Sequence, residues 1–354
     1  MKKVFMAALL VFLMQAAVAQ ESEVSFKNKD GSITFGATLS VPTGYRSGNA
    51  VVLVSGTGKQ DRDGLMAGHF WFKVIAAYLN TKGLVVLRVD DRGVGKTTGV
   101  YEDATTADFA EDALTALNYL KSRKDLHLKK TGMLGHSEGG VAISIAAAQS
   151  SDVAFLISLA GLATTGLEAQ ILQNKDIVAA APISDYDKKR YDVINELMFH
   201  TAFKYADSTN MHAKLNEVYN VWKVKDDAAF KEQKIAFDHF RFPIYSWSLT
   251  AEKAWYRYFI KYDPADYLPK VKVPILAING SKDLMVKAGP NLANWKQLPL
   301  EGGNKQVTIK EFPGLNHLLQ HSETGLPQEY AAIKETIAPE VLDEIGKWLS
   351  GNKL

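Results

Sequence analysis

Apolar positions along this chain follow two alternating patterns. Short runs that read as strands cover Glu23–Lys27, Ile33–Val41, Ala50–Val54, Leu84–Val89, Lys130–Leu134, Ala154–Leu159, Pro274–Ile278 and Gln306–Glu311. Most of the later ones are apolar without polar alternation, the pattern of strands buried on both faces of a parallel sheet. Between them, apolar residues recur at helical spacing over His69–Thr81, Ala104–Lys121, Gly139–Gln149, Gly289–Leu298 and Pro339–Leu349. This repetition predicts a doubly wound α/β domain, with a mostly parallel eight-stranded sheet flanked by helices. The first two strands have no helix between them and predict an antiparallel hairpin at the sheet edge.

The rhythm breaks between Thr164 and Lys261, where the pattern is helical throughout and rich in charge. Half of the chain's aromatic residues fall between Tyr186 and Tyr262, too many apolar rings for a solvated linker. The segment therefore predicts a helical cap inserted after the sixth strand. It divides the core into a first part, 21–163, and a second part, 262–354, with the cap over 164–261. The rings either form the cap's own core, or some of Trp222, Phe242, Tyr245, Trp247 and Trp255 face downward and wall an apolar pocket.

The first residues predict processing rather than fold. Lys2 and Lys3 precede an apolar run, Val4 to Met14, and the small residues Ala17-Val18-Ala19. This is the secretory signal pattern, with cleavage expected after Ala19 or Gln20, and it is too short for a membrane span. A periplasmic or secreted protein of roughly 335 residues without a stable membrane anchor is expected, enough for one large domain with an insertion. Loss of the two lysines takes the formal charge from +2 to zero, so charge supplies no case for nucleic acid or an anionic membrane as partner. The chain has no cysteine, which excludes disulfides, thiolate metal sites, a cysteine nucleophile and a lipidated N-terminal cysteine. No metal or other cofactor is expected, because no histidine pair four residues apart encloses a glutamate.

The candidate chemistry centres on Gly135-His136-Ser137-Glu138-Gly139, a G-x-S-x-G stretch between an apolar strand and a small-residue helix. A serine hydroxyl becomes an effective nucleophile when a strained turn exposes it beside a base. The base must be one of eight histidines. His317 directly follows the last strand, at the sheet edge where such sites are built; His321, four residues on, is the second candidate. His136 adjoins the serine and is expected to pack within the turn. An orienting acid should lie between serine and histidine in the chain, and Asp283 follows the strand Pro274–Ile278 after a short turn. The backbone N–H of Glu138 is one expected oxyanion donor. The second is expected from the loop Ser55–Gly64, with Gly58 first and Thr57 as the alternative. In the same loop, Asp61-Arg62-Asp63 could brace the turn by ion pairs. Gly93-Val94-Gly95-Lys96-Thr97 imitates a phosphate-binding loop, but Asp90 stands where that pattern needs glycine, so nucleotide binding is not expected. Arg92 is instead expected to tie neighbouring loops near the site.

These residues resemble the α/β-hydrolase superfamily over essentially the whole mature chain. Within it, Gly56-Thr57-Gly58-Lys59-Gln60-Asp61-Arg62-Asp63 is similar to the G-S-G-P-x-D-R-D oxyanion loop of bacterial secreted carboxylesterases. Asp90 to Thr97 and Pro313 to Leu319 are also similar to that group. Lys59 departs from the family's proline. The resemblance implies Ser137 as nucleophile, His317 as base, Asp283 as acid, and the insertion after the sixth strand as cap. It implies a two-step hydrolysis of a small-molecule ester through an acyl-enzyme, with the aromatic cap favouring short to medium acyl chains. Alternatives are a serine peptidase of the prolyl-aminopeptidase-like branch, a thioesterase, or a non-catalytic binding protein. The peptidase would need acidic cap residues such as Glu168, Asp185, Asp187 or Glu196 to grip a substrate amine. No pattern in the chain specifies an oligomeric state.

Overall fold

The chain's structure, a computed structural model, describes residues 19–354; the expected signal segment lies outside the described residues but for Ala19. β1 (Gln20–Lys27) and β2 (Thr34–Val41) form the expected antiparallel hairpin, with Gln20 opposite Val41. β3 (Gly48–Val54) follows, then a two-residue ladder of β4 (Leu65–Met66) and β5 (His69–Phe70), then α1 (Trp71–Thr81). α1 starts two residues later than its periodicity predicts because His69 and Phe70 pair with Met66 and Leu65. β6 (Val85–Val89) leads to α2 (Thr106–Ser122), whose start is set by a capping box between Thr105 and Asp108. β7 (Leu128–His136), α3 (Glu138–Gln149) and β8 (Leu156–Leu159) complete the first part.

Five helices come next: α4 (Gly166–Ala180), α5 (Asp185–Tyr205), α6 (Met211–Glu232), α7 (Ile244–Ala251) and α8 (Ala254–Lys261). The chain then returns through β9 (Ile275–Gly280), α9 (Ala288–Glu301), β10 (Val307–Phe312) and α10 (Pro339–Gly351). The eight long strands form one sheet in the order β1-β2-β6-β3-β7-β8-β9-β10. All neighbours from β6 to β10 are parallel, while β2 runs antiparallel to both β1 and β6.

Two apolar layers cover the sheet, which is why its inner strands need no polar face. One packs α2, α3 and α9 against residues such as Val52, Met133 and Ala277. The other packs α1 and α10 against Val51, Leu134 and Ile278 on the opposite face. A third cluster, built from Ile194, Met198, Leu215, Trp222 and Tyr256, belongs to α5–α8 themselves. Buried Arg190 of α5 closes this helical group, bonding Asp226 of α6 at 2.6 and 2.8 Å and Asp238 at 2.8 Å, with its guanidinium 4.2 Å from the Phe240 ring centre. The described residues contain no helix long and apolar enough to cross a membrane.

Candidate active site

The turn from β7 into α3 carries the backbone strain that the G-x-S-x-G pattern predicts. Ser137 adopts φ 55° and ψ −121°, a conformation that costs a non-glycine residue about 1–3 kcal/mol. The flanking glycines are required by contact: a Cβ on Gly135 would lie 2.3 Å from the Gly139 carbonyl oxygen, and one on Gly139 would lie 2.4 Å from that of Val54. Helix and strands therefore close on the turn, and the serine is pushed out at the C-terminal edge of the parallel strands. Its hydroxyl makes no hydrogen bond to any described residue and faces a cavity of about 300 Å³.

Asp283 and His317, from the loops after β9 and β10, meet there. His317 Nδ1 lies 2.8 Å from Asp283 Oδ2, and the aspartate side chain is fully buried. Its other oxygen accepts from the backbone N–H groups of Met285 and Val286, both at 2.8 Å, so the carboxylate is held as an acceptor on both sides. Such an acceptor selects the His317 tautomer with its proton on Nδ1, leaving Nε2 to take a proton. His317 and Ser137 line the same cavity. His321 does not; it is largely exposed and pairs with Glu335 and Glu340 at 2.8 and 3.0 Å.

His136 has a defined task that its position in the sequence did not reveal. Its Nε2–H donates to the His317 carbonyl oxygen at 3.0 Å, and its ring packs between those of Trp71 and His317, 4.5 and 4.7 Å away. Burial, aided by the nearby His317, pushes its pKa down to about 3, so it stays a neutral donor. Trp71 Nε1 donates to the Leu318 carbonyl at 2.9 Å, and Asn316 Oδ1 accepts from Leu318 and Gln320 N–H at 2.9 and 3.0 Å. The loop bearing His317 is thus pinned on three sides.

The oxyanion loop departs from the first expectation. The Gly58 N–H is already bonded to the Tyr101 hydroxyl at 2.7 Å, and Gly58 does not line the cavity. Thr57 does line it, and its N–H makes no hydrogen bond within the described residues. Glu138 opens α3, so its N–H has no intrahelical acceptor. Thr57 and Glu138 are therefore the pair with donors to spare. The loop is braced as its charge cluster suggests: Arg62 grips Asp90 through Nε and Nη2 at 2.9 and 2.5 Å, and Asp63 pairs with Arg88. Arg92 bonds Asp112 of α2 at 2.7 and 2.9 Å. Lys59, the departure from the resembling motif, forms only an exposed pair with Glu102 at 2.8 Å.

Asp91 holds the base of this loop, accepting from Ser55 Oγ at 2.5 Å and from the Gln60 N–H at 2.8 Å. Burial, reinforced by Asp112 and Glu138, pushes its pKa up to about 7 against the opposing pull of those two hydrogen bonds. The unfolded chain releases this proton near pH 4, so the folded state binds the extra proton between about pH 4 and 7. Its contribution to stability is complete below that window and lost as pH rises through 7. Unfolding in urea is expected to show stability falling from pH 5.5 to 8 by about 2 kcal/mol from this group, roughly half of its full effect between pH 4 and 7. Asp91→Asn should flatten that fall, and an unchanged slope would contradict the assignment.

Trp255 and Phe259 of α8, Leu162, Met285, Val286 and Leu318 supply most of the apolar cavity wall, and Gln60, Gln170 and Gln173 supply uncharged polar groups. Of the five cap aromatics considered from sequence, only Trp255 reaches it. Trp222, Phe242 and Trp247 pack within the cap's own cluster, and Tyr245 is 74% exposed. Phe259 and the α4 glutamines were missed because the turn of α8 and α4 toward the core is a tertiary property.

Residues 49–324 match the model of the α/β-hydrolase fold family. The chain belongs to that family. It is 26% identical to the esterase EstD of Thermotoga maritima over 327 residues, 92% of this chain and 68% of that protein. The α/β-hydrolase architecture recurs in the Pyrococcus furiosus esterase Pf2001, with a TM-score of 0.53 and 13% identity over 94% of this chain and 91% of that one. A Pyrococcus horikoshii acylaminoacyl peptidase superposes with a TM-score of 0.54 and 16% identity, over 95% of this chain and 42% of that one. At these identities, structural likeness establishes the fold alone, and the reaction has to be argued from the site.

Proposed function

We propose that this α/β hydrolase cleaves carboxylic esters by acyl transfer through Ser137. His317 Nε2 takes the serine proton as Oγ attacks the ester carbonyl. The Thr57 and Glu138 N–H groups receive the oxyanion, and Asp283 stabilises the imidazolium. The alcohol leaves with the proton from His317. Water, activated by the same histidine, then releases the acid and restores the serine. The observation that carries this reading is the buried Asp283–His317 hydrogen bond on the same cavity as a strained, unbonded serine. The esterase relative spanning 92% of the chain supports the choice of ester.

The wall favours a small, uncharged acyl group. A volume of about 300 Å³ lies at the lower end for ligand pockets. No carboxylate among the described residues lines it: Asp187 is paired with Arg190, and Glu168, Asp185 and Glu196 lie off its wall. That removes the feature a peptidase would need to grip a substrate amine. The reading includes export to the periplasm or exterior, on the strength of the N-terminal pattern. With p-nitrophenyl esters from acetate to laurate, kcat/KM is expected to peak at acetate to butyrate and to fall at least tenfold by laurate. Faster cleavage of aminoacyl p-nitroanilides than of any ester would contradict the proposal.

A further inference from the structure

Glu138 combines three features unexpected of a residue placed beside a nucleophile for its backbone alone. Its side chain is almost fully buried, no cation among the described residues faces its carboxylate, and three donors from three separate parts of the chain converge on it. Oε2 accepts from Thr57 Oγ1 at 2.6 Å; Oε1 accepts from Thr106 Oγ1 at 2.5 Å and from Trp255 Nε1 at 2.7 Å. Thr57 belongs to the oxyanion loop, Thr106 is the first residue of α2, and Trp255 lies on α8. The two residues with free N–H groups, Thr57 and Glu138, are thus tied to each other by their side chains. The same carboxylate holds the indole that walls the acyl cavity.

A buried carboxylate that loses one of three donors is costly to leave in place and shifts toward those remaining. Displacement of α8 withdraws the indole N–H, so the carboxylate moves and Thr57 moves with it. We propose that Glu138 is a positioning residue that couples the seating of α8 over the acyl cavity to the geometry of the oxyanion hole. The hole is then fully formed only while Trp255 is in place. Substrates that fit beneath a seated α8 are turned over quickly, and bulkier ones bind but react slowly. The inference rests on the acyl-transfer reading of Ser137.

Thr57 and Trp255 bond to Glu138 and not to each other, so a double-mutant cycle isolates the link. Trp255→Phe keeps an aromatic wall and removes the N–H; Thr57→Val keeps the shape and removes the hydroxyl. With p-nitrophenyl acetate, each substitution is expected to lower kcat about tenfold with KM within about twofold, since small misplacements of oxyanion donors act on the transition state. The double variant should lose at least threefold less than the product of the single losses. In a Glu138→Ala background, which offers neither Trp255 nor Thr57 a side-chain partner, Trp255→Phe should have no further effect on kcat. Additive losses, or an effect of Trp255→Phe confined to KM, would overturn the coupling and leave Trp255 as a wall. Ser137→Ala assayed alongside separates the two levels: activity there removes the acyl-transfer reading, whereas an inactive Ser137→Ala with an additive cycle removes only this inference.

Discussion

Ester hydrolysis by the Ser137→Ala protein is expected to fall by roughly 10⁶-fold in kcat, to the residual rate of a binding site without a nucleophile. Its urea midpoint should stay within error of the parent. Both halves of this expectation follow from the geometry. The hydroxyl makes no hydrogen bond to any described residue, so its removal is expected to cost the fold little. The backbone at φ 55° is held by Gly135, Gly139 and the close approach of β3, none of which depends on the side chain. Alanine pays the same strain as serine there. A variant with even one-hundredth of the parental kcat would place the nucleophile elsewhere.

The second large effect is expected at Asp283. Asp283→Asn can keep its carbonyl oxygen facing the Met285 and Val286 N–H groups, which preserves the turn. Its amide nitrogen then faces His317 Nδ1, and an amide N–H requires an acceptor there. The imidazole proton shifts to Nε2, the nitrogen that takes the serine proton in the proposed reaction. This wrong tautomer should lower kcat by about 10³–10⁴ with little change in KM, and leave reactivity of Ser137 toward fluorophosphonates correspondingly slow. An equal loss in a protein that no longer folds would not count as this effect, so the urea midpoint is measured beside it.

The strand pattern and the chain order of Ser137, Asp283 and His317 were legible because each depends on local chemistry. A continuous apolar strand, a glycine-flanked serine, and an acid or histidine just after a strand end are each defined by a few consecutive residues, though the three side chains lie far apart in sequence. The choice between Gly58 and Thr57 as the second proposed oxyanion donor was not legible in this way. Gly58 has the flexible backbone the task suggests, but Tyr101, more than forty residues away in the chain, consumes its N–H. The cap behaved similarly. Its ring-rich composition announced an apolar cluster, but helix packing decides which rings face down, and only Trp255 among those considered does so. Glu138 did leave a trace in the sequence: a charged residue stands at the head of Gly139–Ala148, where every other side chain is small or apolar. A buried acid at that place needs donors, and Thr57, Thr106 and Trp255 provide them.

The most direct test of the central claim is to trap the enzyme in mid-reaction. The protein is mixed with excess p-nitrophenyl butyrate, quenched in acid within milliseconds, digested and read by mass spectrometry. The account predicts a butyryl adduct on the peptide containing Ser137, formed with a burst of one p-nitrophenolate per chain. It also predicts that the adduct and the burst are absent from Ser137→Ala. Turnover with no adduct on any serine, or an adduct on a different residue, would contradict it.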